Sequence, residues 1–160
     1  RIAANNAKMG IVFARRGIVV DACSSWFLPR VVGISKALDW AMTGRVFTAQ
    51  EAFESGLVSQ LVEPDQVIPA ARAIASEIAR YSAPVSVALI RQLMWSMLGA
   101  SHPMEAHRIE SKGFHYLGQR PDADEGINAF LEKREPHFTM SPTRDMPDFY
   151  PWTTEPPFKG

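Results

Sequence analysis

The chain has 160 residues, 46% of them apolar, which is enough for one hydrophobic core and too little for two ordinary domains. Its 17 Lys and Arg balance 17 Asp and Glu, so no net field draws it to nucleic acid or to an anionic membrane, and neither is an expected partner. The longest apolar runs, such as Ile18-Val19-Val20, fall far short of the roughly 20 residues that span a bilayer. A single cysteine, Cys23, excludes an internal disulfide and a thiolate metal cluster, so the cytoplasm or another reducing compartment is expected.

The first residues, Arg1 to Lys8, hold no apolar stretch of signal-peptide length and no initiator Met, so the chain is expected to begin within a longer protein. Gly17 to Val20 reads as a short strand or extended segment, and Asp21-Ala22-Cys23-Ser24-Ser25 as a helix entry. A short helix is predicted to carry Trp26-Phe27-Leu28 and to end near Pro29. Gly33-Ile34-Ser35 opens a second helix, with Ala37, Leu38, Ala41 and Met42 on one core-facing stripe and Gly44 as its stop. Thr48-Ala49-Gln50-Glu51 matches a capping box, in which hydroxyl and carboxylate both satisfy orphan amides; that third helix runs to Ser55 and stops at Gly56.

Leu57 to Val62 reads as a short strand returning to a sheet, and Asp65 as the cap of a longer helix with Val67, Ala71, Ile74, Ala75 and Ile78 on one face. Pro84 sits in the first turn of the next helix, which runs to about Gly99. That helix is apolar on more than one side, through Val85, Leu89, Ile90, Met94 and Met97, so it is expected between neighbours. Helices over about 103–118 and 122–134 follow. From Pro136 the chain holds six prolines with Phe138, Phe149, Tyr150, Trp152 and Phe158, and reads as an irregular tail lying along its own domain or a neighbouring subunit. The division this suggests is a core part over 1–63, a helical segment over 64–135 and a tail over 136–160.

There is no Gly-rich phosphate loop, no His-x-x-x-His or Cys-x-x-Cys pair, and no Gly-x-Ser-x-Gly elbow. His102, His107, His115 and His137 are scattered and read as surface or packing residues, and no metal is expected. Cys23 reads as a small buried hydrophobe. Asp21 stands where an apolar run feeds a helix N-terminus, near Val19, Val20, Trp26 and Phe27, a setting that would partly desolvate a carboxylate and suit it to proton transfer. The alternative is that Asp21 caps the helix by accepting from the amides of Cys23 or Ser24. Spacing leaves both open.

The run from Arg15-Arg16-Gly17 through Asp21 to Leu28-Pro29-Arg30-Val31-Val32-Gly33 resembles the crotonase superfamily, the enoyl-CoA hydratase/isomerase group, where it leads into a catalytic acid and a Leu-Pro-Arg-x-x-Gly helix. The resemblance continues through Ala37, Thr43-Gly44-Arg45, Ala49-Gln50-Glu51-Ala52, Gly56-Leu57-Val58, Val62, Glu125-Gly126, Ala129-Phe130 and Glu132-Lys133-Arg134, in order, to about residue 138. It implies an α/β fold, the crotonase-like ββα spiral, of which this chain would be the helix-rich C-terminal part.

The resemblance also implies an acyl-CoA substrate, with no cofactor beyond the coenzyme A thioester itself, and a homo-oligomer, a trimer or hexamer. Such enzymes hold the thioester oxygen in an oxyanion hole of two backbone N–H groups, which the family places in glycine-rich turns preceding this stretch. Hydratases of the family use two glutamates, one of them eight residues before the position of Asp21; here that residue is Phe13, which cannot transfer a proton. Asp21 itself matches the position of the acid in several isomerases and in a dehalogenase. Isomerase-type proton transfer is therefore expected over hydration, with Asp21 catalytic. Phe114 and Lys133 match positions that contact the adenine end and the phosphates of coenzyme A; their plain alternatives are a packing aromatic and a solvated helix-end cation. The rival readings are a non-catalytic remnant that only oligomerises and an unrelated helical interaction module.

Overall fold

A computed structural model of the chain describes residues 1–153 and 157. Phe158, counted in the tail above, lies outside the described residues. Contacts divide the chain into two units, Arg1–Ile74 and Ala75–Gly160.

The first unit is built on two small sheets. Strand β1 (Ile2–Ala4) pairs in parallel with β4 (Gln60–Val62), with Ala3 opposite Leu61, and β2 (Lys8–Gly10) pairs antiparallel with β3 (Val46–Thr48), with Met9 opposite Phe47. A parallel pair needs a long crossover, and the chain between β1 and β4 supplies it with the β2–β3 pair and the helices α1 (Ser24–Val32), α2 (Ile34–Thr43) and α3 (Ala49–Glu54). Ala3, Leu28, Ala37, Trp40, Phe47, Ala49, Ala52 and Val58 form the buried cluster that joins these elements. Four of its residues, Ala3, Ala37, Ala49 and Ala52, are alanines, and its one large double ring is the fully buried Trp40, stacked on Phe47 with centroids 3.8 Å apart.

Several predicted features take a different form. Gly17–Val20 joins neither sheet, because the strands come from other segments; the Ile18 amide instead donates to the Phe13 carbonyl at 3.3 Å. Helix α1 does not end at Pro29 but runs through it to Val32. One missing amide is a local loss, and burying Leu28 with Val32 packed on the cluster outweighs it. In α2 the buried face is Ala37 and Trp40, while Leu38 and Met42, expected in the core, are exposed; each follows a core-facing position by one or two residues, a rotation of about 100° per residue around the axis.

Helix α4 (Val67–Tyr81) follows a 3-10 turn over Pro64–Gln66 that contains Asp65, so the turn, not Asp65 as a cap, leads into it. None of its residues is buried; its apolar face is left uncovered, with Ile74 and Ile78 exposed. In the second unit, α5 (Pro84–Met97), α6 (Pro103–Gly118) and α7 (Pro121–Glu132) each carry proline at the first helical position, where no amide is lost. Only one side of α5 is covered: Val85 and Leu89 are buried, Ile90 and Met94 exposed, so it is not enclosed as its composition suggested.

No helix or strand forms from Pro136 onward among the described residues. The chain turns back along α7 instead, through Lys133 in the left-handed region (φ 56°), and α7 holds the returning segment with two carboxylates. Asp122, buried, accepts from the amides of Thr139 (2.8 Å) and Met140 (3.3 Å). Glu125 accepts from the His137 amide and, in a two-pronged pair, from Arg134 at 2.6 and 2.9 Å. Tyr116 donates to the Asp145 carbonyl at 3.2 Å and meets Phe149 edge-on, and Trp152 donates to Ser96 Oγ at 3.1 Å. The tail thus lies along its own unit.

Candidate functional site

Asp21 lies between two tight turns. Before it, Phe13 and Ala14 carbonyls accept from the Arg16 and Gly17 amides, making a 3-10 turn over Ala14–Arg16 that Gly17 closes at φ 71°. After it, Ala22 and Cys23 both take positive φ, 53° and 56°, and α1 begins. A left-handed backbone sets an L residue's Cβ against its own carbonyl and costs roughly 1–2 kcal/mol per residue, so two in succession persist only where surrounding contacts hold them. Here the Asp21 carbonyl accepts from both the amide (3.0 Å) and the hydroxyl of Ser24, and the Cys23 carbonyl accepts from the Trp26 and Phe27 amides.

That geometry removes the capping alternative for Asp21. The residue at the N-cap of α1 is Cys23, no side chain caps it, and Asp21 contributes its main-chain oxygen only. The Asp21 carboxylate is exposed, and the described residues make no hydrogen bond or ion pair to it. The apolar enclosure expected around it is not formed by this stretch: Val19 is 84% exposed and Phe27 is exposed, while Trp26 is half-buried with the Arg30 guanidinium 4.0 Å from its ring centre. Cys23, expected to be buried, is exposed: it sits in the left-handed turn ahead of α1, and the buried cluster takes no residue from that turn. Phe13 is half-buried at the start of the 3-10 turn.

The other two candidate residues belong to the second unit. Phe114 lies on α6 and is 84% exposed, so it is not a packing aromatic within this unit. Lys133 closes α7, exposed, with its amide donating to the Phe130 carbonyl; the neighbouring Glu125 and Glu132 carboxylates pair with Arg134, and no ion pair to the Lys133 ammonium forms among the described residues. Among the described residues no group of three or more His, Cys, Asp or Glu side chains is placed to hold a metal. His102 caps α6 by accepting from the Met104 amide at 3.1 Å, and His115 pairs with Gln119 on the next turn.

One cluster the sequence reading misassigned holds the first unit's frame. Thr48 caps α3 as expected, accepting from the Glu51 amide at 3.1 Å, but the Glu51 carboxylate does not return to the cap. It turns inward to Arg45, which grips both its oxygens and also donates to Asp39 at 2.7 Å; the Trp40 indole adds a bond at 2.9 Å and Lys36 stands at 3.5 Å. An arginine directly after the Gly44 stop and six residues before a glutamate was the available signal. Arg45, then the Trp40 indole, holds the Glu51 carboxyl down at about 2, from an ordinary value of 4.5, and Arg134 does the same for Glu125.

Because both folded values lie below the unfolded one, the contribution of these pairs to stability is complete above pH 4.5 and is lost as pH falls toward 2. Urea unfolding between those limits is expected to show a steeper loss of stability in the parent protein than in Glu51→Gln. Parallel slopes would mean the Arg45 pair is too well solvated to matter.

The profile of the enoyl-CoA hydratase/isomerase family matches residues 1–141. The chain is 41% identical over 139 residues to the enoyl-CoA hydratase ACTT3 of Alternaria alternata and 37% identical to a probable enoyl-CoA hydratase of Bacillus subtilis. These matches cover 86% of this chain, and 46% and 53% of those proteins, so it spans about half the length of the curated relatives it matches. Its structure superposes on that of a probable enoyl-CoA hydratase/isomerase from Mycobacterium abscessus with a TM-score of 0.84 at 34% identity, over 87% of this chain and 56% of that one. An enoyl-CoA hydratase from Bacillus anthracis gives 0.82 at 31%, over 86% and 53%. The fold is therefore the crotonase-like α/β fold. The chain belongs to the enoyl-CoA hydratase/isomerase family.

Among the described residues, no helix is long and apolar enough to cross a membrane.

Proposed function

We propose that the protein is an acyl-CoA enzyme in which Asp21 carries a proton between two carbons of an enoyl thioester, an isomerisation in preference to a hydration. What supports the reading is the Asp21 carboxylate itself, exposed and without a partner among the described residues, on a backbone fixed at both flanks. The carboxylate takes a proton from the carbon beside the thioester carbonyl while the C–H electron pair moves into the conjugated system to give an enolate. It then returns that proton to the far end of the original double bond, which leaves the double bond one carbon nearer the thioester, so no water is added and the carboxylate is restored. The family's oxyanion hole carries the enolate charge. Phe13, at the position of the second hydratase glutamate, offers no group to activate water.

In this proposal the enzyme is a homo-oligomer, and the exposed Phe114 and Lys133 receive the adenine and phosphate ends of coenzyme A. Lys133→Ala in the full-length protein is expected to weaken acyl-CoA binding by about 1 kcal/mol or more, roughly fivefold in Kd, if the ammonium meets phosphate. Alanine keeps the left-handed strain of the position unchanged, so the comparison reads charge rather than fold. Titration calorimetry giving equal affinities for the two proteins removes Lys133 from the site. The proposal as a whole is tested by Asp21→Asn, assayed for both 3-enoyl-CoA isomerisation and 2-enoyl-CoA hydration; unchanged rates would overturn it.

A further inference from the structure

We infer that Arg15 is a positioning residue for Asp21, acting through the end of α2; the inference rests on the proposed role of Asp21. From Phe13 to Ser24 no side chain is buried and no strand forms, so packing within the segment does not hold Asp21 still. The anchorage comes from outside it. Arg15 lays its stem across Gly44, so closely that a Cβ on Gly44 would stand 2.8 Å from Arg15 Cγ and 3.3 Å from Cδ. Its Nε donates to the Thr43 carbonyl at 2.8 Å.

That carbonyl is one of those an α-helix leaves without an internal partner at its C-terminus, where the helix dipole also favours a cation. Gly44 thus serves twice: at φ 57° it ends α2, and its missing side chain leaves the space that the arginine stem fills. The anchor is rigid because Trp40, whose carbonyl receives the Gly44 amide at 3.0 Å, is fully buried in the core cluster. Asp21 lies six positions after Arg15, and on the other side Ser24 grips the Asp21 carbonyl. The carboxylate is therefore set by two clamps, one on α2 and one on α1. The Arg15 Nε is thus committed to the protein's own backbone.

Steady-state kinetics of 3-enoyl-CoA isomerisation by the full-length protein test this. Arg15→Met keeps an apolar stem over Gly44 and removes the donor. It is expected to lower kcat by about 10- to 100-fold at unchanged KM, the range that displacement of a catalytic group by an ångström or less produces. Arg15→Lys, which restores a cation at the helix end, is expected to fall less. In an Asp21→Asn background the same Arg15→Met change is expected to alter kcat by less than about twofold, since misplacing a group that no longer acts cannot slow the reaction further. Parent-like kcat in Arg15→Met, a change confined to KM, or equal losses in both backgrounds would each overturn the inference. Should Arg15→Met fail to fold, Arg15→Lys carries the test alone: a lower kcat at constant KM supports the clamp, and parent-like kcat overturns it. A slow Asp21→Asn beside an unaffected Arg15→Met refutes the clamp only, whereas an Asp21→Asn enzyme with parent-like rates removes the role of Asp21 and the clamp together.

Discussion

Asp21→Asn in the full-length protein is expected to fold as the parent does and to isomerise 3-enoyl-CoA more slowly by roughly 10²-fold or more, because an amide cannot accept and return a proton at neutral pH. The folding half of that expectation follows from the geometry around α1. Had the Asp21 side chain capped the helix, asparagine would cap it nearly as well and turnover would be preserved. The carboxylate makes no such bond; the contacts at this point run through the Asp21 carbonyl, which asparagine retains. Asp21→Glu keeps the base but lengthens its reach, and is expected to retain part of the activity. Following hydration of 2-enoyl-CoA in the same variants separates the two chemistries. Loss of isomerisation alone supports proton transfer through Asp21, loss of hydration alone favours the activity named for the relatives, and retention of both leaves Asp21 without a catalytic part.

Trp40→Ala is expected to destabilise the first unit by about 3–5 kcal/mol, against the 5–15 kcal/mol that typically holds a domain folded. Trp40 is 0% exposed and is the largest fully buried side chain among the described residues. Four other members of its buried cluster are alanines, Ala3, Ala37, Ala49 and Ala52, which have no longer side chain to swing into a vacated space, so the cavity is expected to persist. The stacked Phe47 would lose its partner as well, and the Glu51 carboxylate one of its donors. Trp40→Phe keeps most of the apolar volume and removes only the indole donor, and should fall between the two. Denaturant midpoints of the three full-length proteins, at equal m-value, decide this. An alanine variant within a few tenths of a kcal/mol of the parent would mean that the cluster collapses to fill the hole. If Trp40 also anchors the Arg15 clamp, catalysis at a temperature where the alanine variant remains folded should decline with it.

The helices were legible in the sequence because their signals are local. The Gly44 stop of α2, the Thr48 cap of α3, and the prolines opening α5, α6 and α7 act within one turn, and each appears where a neighbour three or four residues away requires it. The family resemblance, carried by an ordered set of short motifs, was also readable without coordinates, and it fixed attention on Asp21, Phe114 and Lys133. Strands β1, β2 and β3, by contrast, span three residues each, too few for an alternating pattern to register; they exist because Ile2 meets Gln60 and Lys8 meets Thr48. Helix α1 passes Pro29 because burial of Leu28 outweighs one lost hydrogen bond, a balance that propensity does not contain. Which side of α2 is core was decided by where Phe47 and α3 lie, so Trp40 went in and Met42 stayed out. The partners of Glu51, the freedom of the Asp21 carboxylate and the hold of Arg15 on Thr43 likewise depend on residues that tertiary packing brings together, the last across 28 positions of sequence. Local chemistry determined where helices start and stop; burial and non-local pairing decided which of their faces are filled and which side chains are left free to react.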